Sequence, residues 1–230
     1  MTQHFHGVIP PVVTPLTADG QLDLSSFRRS LDRMITAGVH GVFTLGSSGE
    51  VAFSTDGRRK DIIEAVMKIV DGRVPVFVAA SIPRPTVLSN MPLRPKKLGA
   101  SAIVATAPFY ALGGLPEIER HFRLIHEAVP ELPLFAYDIP VCVHVKLSND
   151  MLIRLGRDGV LTGVKDSSND DVAFRFLVDA NADAGHPLTL LTGQEIVVDG
   201  AYMRVRWFGA GAGQCGVHRV RAHVECLSVR

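Results

Sequence analysis

With 230 residues the chain can bury a full core as one large domain or two small ones, and its 24 Lys+Arg against 23 Asp+Glu give no electrostatic ground for a nucleic acid or an anionic membrane as partner. Hydrophobic residues make up 47% but fall in runs too short to span a bilayer, and residues 1–6 lack the basic-then-apolar pattern of a secretory signal. Cys142, Cys215 and Cys226 form an odd, sparse set that suits reduced thiols in a cytoplasm better than a disulfide framework.

Apolar runs of β type recur at 7–13, 41–45, 74–79, 101–105, 132–137, 160–165 and 188–191. Helical spacing lies between them. Phe27, Leu31, Met34 and Ile35 follow the potential N-cap Asp23 and stop at Gly38; Ile62, Ile63, Val66, Ile69 and Val70 follow Ser54 and stop before Gly72. Ile118, Phe122 and Ile125 begin beside Pro116, a residue tolerated in a helix's first turn. Short, nearly all-apolar strands suit a parallel sheet buried on both faces. Seven such units in a row predict an α/β fold of the (β/α)8 barrel type rather than an open doubly wound sheet.

In such a barrel the chemistry gathers at the C-terminal ends of the strands. The second run ends in Gly46-Ser47-Ser48-Gly49-Glu50, a tight turn whose amides and hydroxyls can hold a carboxylate, although ordinary βα turns look the same. The fourth run leads into Pro108-Phe109-Tyr110 and the fifth ends in Tyr137-Asp138-Ile139-Pro140; either tyrosine could equally be an amphipathic rim residue. The sixth run ends on Lys165, followed by Asp166-Ser167-Ser168. A lysine at the mouth of a buried strand is a candidate amine nucleophile, because partial desolvation favours the neutral form that attacks a ketone to give a Schiff base. All four features fall on one edge of the inferred barrel.

In this order, Gly46–Glu50, Pro108–Tyr110, Tyr137–Pro140 and Gly163–Ser168 resemble the dihydrodipicolinate synthase / N-acetylneuraminate lyase family of pyruvate-dependent class I aldolases, from about Gly7 to Arg204. The resemblance implies a (β/α)8 barrel, usually a homotetramer, in which Lys165 forms an imine with pyruvate or another 2-oxo acid without metal or organic cofactor. It implies that Ser47 and Ser48, within Gly46–Gly49, bind the 2-oxo acid carboxylate, with Ser47 also relaying a proton. Tyr137 takes the acid/base role, and Tyr110 matches the tyrosine that some members contribute across a subunit interface. Ser167 and Glu195 fall with the substrate pocket.

The pattern also departs from the family. Synthases for dihydrodipicolinate usually place an arginine two positions after the proline of the tyrosine motif; here that position is Cys142, and a thiol cannot replace a bidentate guanidinium. This and Val145-Lys146-Leu147 point toward a lyase or aldolase on another 2-oxo acid, with the lysine-pathway synthase, a sugar-acid dehydratase and an impaired remnant as alternatives. Cys142 and His144 are too few for a zinc site. Prolines at 83, 85, 92 and 95 are expected to break the third helix. Residues 205–230 show no strand or helix periodicity, and the family's usual continuation, written in GC-rich codons and read one frame over, gives Trp207–Cys215. The expectation is a barrel domain over 1–204, incomplete at its eighth βα unit. An aberrant tail over 205–230 would then leave the first and seventh strands with open edges.

Overall fold

The computed structural model describes residues 5–80, 99–109, 112–193 and 207–208. Each of the seven apolar runs holds a strand: β1 Gly7–Val8, β2 Val42–Thr44, β3 Val76–Ala79, β4 Ala102–Thr106, β5 Leu134–Asp138, β6 Gly163–Asp166 and β7 Thr189–Thr192. The helices described between them are α1 Leu24–Thr36, α2 Asp56–Val70, α3 Leu115–Ala128, the single turn α4 Pro140–Val143, α5 Asn149–Arg157 and α6 Asp171–Asp183. Local chemistry sets their ends. The Asp23 carboxylate accepts from the amides of Ser25 and Ser26 at 3.0 Å each, satisfying donors that the first turn of α1 leaves unpaired. α2 begins at Thr55, whose hydroxyl accepts from the Arg58 amide at 3.2 Å, and stops where Asp71 turns left-handed at φ 48°. Pro116 sits in the first turn of α3, as the spacing predicts. One face of each helix is apolar and buried, Phe27, Leu31 and Met34 in α1 and Ile118, Phe122 and Ile125 in α3.

The strands form one parallel sheet in the order β1-β8-β7-β6-β5-β4-β3-β2, where β8 is Trp207–Phe208. The ring is completed between the first two strands. Pro11 bridges Phe43, the Val12 amide donates to the Phe43 carbonyl at 2.8 Å, and the Phe43 amide donates to the Pro10 carbonyl at 3.0 Å. The fold is therefore the expected barrel of (β/α)8 type, and its eighth unit is described at the two strand residues Trp207–Phe208. The expectation of open edges on the first and seventh strands is corrected. Trp207 and Phe208 pair with Gly7 and Val8, and Phe208 pairs with Thr192. Two residues carry too little pattern to register as a strand in sequence, yet backbone pairing on both sides needs no particular side chain. The proline-rich segment at 83–95 lies outside the described residues.

Alternation along the strands sends every second side chain into the barrel. Three inward rings, Phe5, Phe77 and Phe135, pack edge to face with centroids 4.7 to 5.6 Å apart and fill its interior. Among the described residues no helix is long and apolar enough to cross a membrane.

Candidate active site

Lys165 and Tyr137 meet through strand register. β5 and β6 pair Phe135 with Gly163, Tyr137 with Lys165, and Asp138 with Asp166. Tyr137 and Lys165 therefore point into the barrel one layer above the Phe135 ring. Gly163 is required there: a Cβ would stand 2.3 Å from Phe135 Cε1 and 2.4 Å from the Thr189 carbonyl oxygen. Lys165 is 8% exposed, and its Nζ lies 4.0 Å from the centroid of the Tyr137 ring and 4.8 Å from that of Phe43. The ring faces attract the ammonium and fix its position. Phe43, which sequence reasoning missed, packs edge-on to Tyr137 at 6.2 Å; alternation in the run 41–45 was the available signal.

The serine turn follows β2. Ser47–Gly49 is a turn of 3₁₀ helix, closed by the Gly49 amide to the Gly46 carbonyl at 3.0 Å and the Glu50 amide to the Ser47 carbonyl at 3.1 Å. Those bonds use the amides of Gly49 and Glu50, and Ser47 and Ser48 are exposed. Gly46 lies on the Phe43 ring, where a Cβ would come within 2.6 Å of Cε1. Thr14 tethers the turn to the segment after β1 by donating to the Gly49 carbonyl at 2.9 Å. Leu45 and Glu50, at φ 58° and 57°, bracket the turn with left-handed residues, a conformation costing roughly 1–2 kcal/mol for a side chain and typical of ligand-gripping loops.

Ser167 continues from β6, donates its amide to the Asp138 carbonyl at 2.8 Å and packs on Gly193, where any Cβ would collide with its hydroxyl. Tyr110 and Glu195 lie outside the described residues; Phe109, next to Tyr110, is half-buried at the end of the fourth strand's loop. Cys142 is exposed on α4 and His144 is exposed just beyond it.

Behind the inward pair lies a second charged group. Asp138 and Asp166, one residue beyond Tyr137 and Lys165, point out of the barrel and are 0% and 3% exposed. The Lys146 ammonium bridges them, bonded to Asp138 Oδ2 and 3.2 Å from Asp166 Oδ2. Asp138 Oδ1 accepts from the Leu147 amide at 3.2 Å, and Asp166 Oδ1 from the Ser168 amide and hydroxyl at 2.9 and 2.8 Å. Burial pushes the Asp138 carboxyl up to about 6 although Lys146 opposes the shift. Burial works against the Lys146 charge, yet the two carboxylates hold its pKa above the usual lysine range.

The chain matches the sequence model of the Dihydrodipicolinate synthetase family over residues 4–215. It is 36% identical over 191 residues to an uncharacterized DapA-like lyase of Halobacterium salinarum, covering 83% of this chain and 61% of that protein. It is 32% identical over 196 residues to a 4-hydroxy-tetrahydrodipicolinate synthase of Phenylobacterium zucineum, covering 85% and 65%. The chain thus spans less than two thirds of the length of these two relatives. Among solved structures it superposes on YagE, a prophage protein of the dihydrodipicolinic acid synthase family from E. coli K12 in complex with pyruvate. That match has a TM-score of 0.92 at 26% identity, over 98% of this chain and 76% of that one.

Proposed function

Because the chain belongs to the dihydrodipicolinate synthetase family, we propose that it is a lyase or aldolase that works through a lysine Schiff base on pyruvate or a related 2-oxo acid. The observation that carries this reading is the inward pair Tyr137 and Lys165, register partners at the end of adjacent buried strands, with the lysine Nζ 4.0 Å from the tyrosine ring. The Ser47–Ser48 turn takes the substrate carboxylate. The neutral Lys165 amine adds to C2 of the keto acid, and the carbinolamine loses water to leave the imine. Tyr137, with Ser47 as relay, gives and takes the protons of these steps. In the cleavage direction the imine accepts the electron pair of the breaking carbon–carbon bond; an aldehyde departs, the enamine is protonated, and water releases the keto acid. The protonated imine keeps its positive charge on the same nitrogen, so the rings of Tyr137 and Phe43 favour it as they favour the ammonium.

Tyr110 and Glu195 belong to the same pocket in this reading, no metal or organic cofactor takes part, and the working form is a cytoplasmic homotetramer. Aspartate semialdehyde is a poor acceptor. Cys142 offers it no guanidinium, and Lys146, the nearest replacement in sequence, is engaged by Asp138 and Asp166. A second reading, a catalytically impaired barrel, is favoured by one observation: the eighth strand pairs with β7 through a single residue.

The test is intact mass after incubation with pyruvate and borohydride. The expected result is one adduct, a pyruvate less one oxygen, located on Lys165 and absent from Lys165→Ala. An adduct on another lysine, or one that survives the substitution, sinks the mechanism. A Lys165 adduct without turnover of any aldehyde selects the impaired reading.

A further inference from the structure

Two carboxylates buried side by side on neighbouring strands repel each other and lose their hydration, a costly arrangement unless a cation and hydrogen-bond donors answer both. In this barrel the answer comes from one side chain. Lys146 follows α4 in the loop after β5, and its ammonium reaches back to Asp138 at the end of β5 and across to Asp166 at the end of β6. Each aspartate is one residue beyond a member of the inward pair, so its strand cannot shift without moving Tyr137 or Lys165 as well. The same two ends share the Ser167 amide bond to the Asp138 carbonyl, which sets the start of the loop after Lys165.

We propose that Lys146 is a positioning residue: its clamp on the Asp138 and Asp166 carboxylates holds the ends of β5 and β6 in the register that places Tyr137 against Lys165. The inference rests on the Schiff-base reading. Lys146 touches no reacting atom. Without it, two buried carboxylates face each other with no cation between them among the described residues, although the Leu147 amide and the Ser168 amide and hydroxyl still donate to them. The strand ends then part, or one aspartate takes up a proton and rotates. Proton transfer between groups on two strands is sensitive to such a shift, since a displacement of about 1 Å can cost about 100-fold in rate. The serine turn sits on β2, across the barrel, and its grip on the keto acid is left intact.

The experiment follows single-turnover trapping of pyruvate on Lys165 by borohydride across pyruvate concentrations, for the parent chain, Lys146→Met, Lys146→Arg and the double variant Lys146→Met/Asp138→Asn. The expected result is trapping about 10- to 100-fold slower in Lys146→Met at a half-saturating pyruvate concentration changed by less than about threefold. Lys146→Arg recovers most of the rate, because a guanidinium can still span both carboxylates. Removing the Asp138 charge in the double variant recovers part of it, since one carboxylate no longer needs a counter-charge. Should Lys146→Met fail to fold, the arginine and double variants carry the test, and slow trapping in both overturns the clamp. Trapping at the parental rate in Lys146→Met overturns it too. So does a rise in half-saturating pyruvate at unchanged maximal rate, which would make Lys146 a substrate ligand. If the parent chain traps nothing, the Schiff-base reading falls, and the clamp's role with it.

Discussion

The wall from β4 to β7 and the seam where β8 meets β1 and β7 are built from the same parallel pairing, but to different depths. Four consecutive residues pair between β4 and β5, between β5 and β6, and between β6 and β7. At the seam two residues pair with β1 and one with β7. The wall adds side-chain ties to its ladder: the Lys146 clamp, the Phe135 ring seated over Gly163, and the Asn181 amide that donates to the Leu188 carbonyl and accepts from the Leu188 amide at 3.0 Å each. The lesson is a division of labour. Groups that must stay within fractions of an ångström stand on the deep wall, while the barrel is closed by the least backbone that can pair on both sides.

The sharpest way to break that contrast is at Tyr137. Tyr137→Phe keeps the ring beside the Lys165 ammonium but removes the hydroxyl, so single-turnover trapping should fall by roughly 10²- to 10⁴-fold with little change in melting temperature. Equal rates would move the acid/base role off the wall. Next in size is the acceptor. With a thiol at Cys142 in place of a guanidinium, the protein should use aspartate semialdehyde about 10- to 100-fold less efficiently than its preferred aldehyde, the worth of one charge-assisted bond; comparable kcat/KM values would refute this.

Two glycines then compare wall and seam directly. Gly163→Ala drives a methyl against the Thr189 backbone on the wall, and Gly7→Ala forces a side chain at φ 80° into the His40 ring beside the seam. Each should cost about 1–3 kcal/mol in denaturant melts. Only Gly163→Ala, two residues below Lys165, should also slow trapping; equal losses of trapping would mean that the seam positions the site as much as the wall does.

The smallest effect is on pH dependence. Asp138 lies high, at about 6 against an ordinary 3.8, so between those values the folded chain holds more protons than the unfolded one. Its contribution is present below 3.8 and lost as pH rises through 6. Glu119 lies low, at about 2 against 4.5, because Arg154 and Arg123 bond its carboxylate. Its contribution is present above 4.5 and lost as pH falls through 2. Asp138→Asn should therefore flatten the stability profile between pH 4 and 6, and Glu119→Gln that between 2 and 4.5, read from melts across pH; unchanged slopes would separate both groups from the pH response.

Much of this was legible in the chain itself. A strand buried on both faces leaves an apolar run, and a residue ending such a run in a barrel belongs to one edge, so the sequence alone groups Lys165, Tyr137 and the turn Gly46–Glu50. The clamp could not. Asp138, Lys146 and Asp166 are 8 and 20 residues apart, and only strand register brings the two aspartates side by side. The Phe43 contact needs the inward alternation of β2 together with closure of the barrel. At the seam, two residues paired through backbone alone leave no periodicity, and the 205–230 stretch reads as structureless even where it supplies β8.

The packed rings of Phe5, Phe77 and Phe135 lie within the barrel on the side of Lys165 away from the strands' C-terminal ends. Phe135 stands directly below the inward pair, and its two partners extend that hydrocarbon floor across the barrel. In the Schiff-base reading, a keto acid would then meet the amine from the strands' C-terminal edge, and the water expelled on imine formation would leave on that same side. On that reading the second reactant would arrive above the first, with the hydrocarbon floor beneath both.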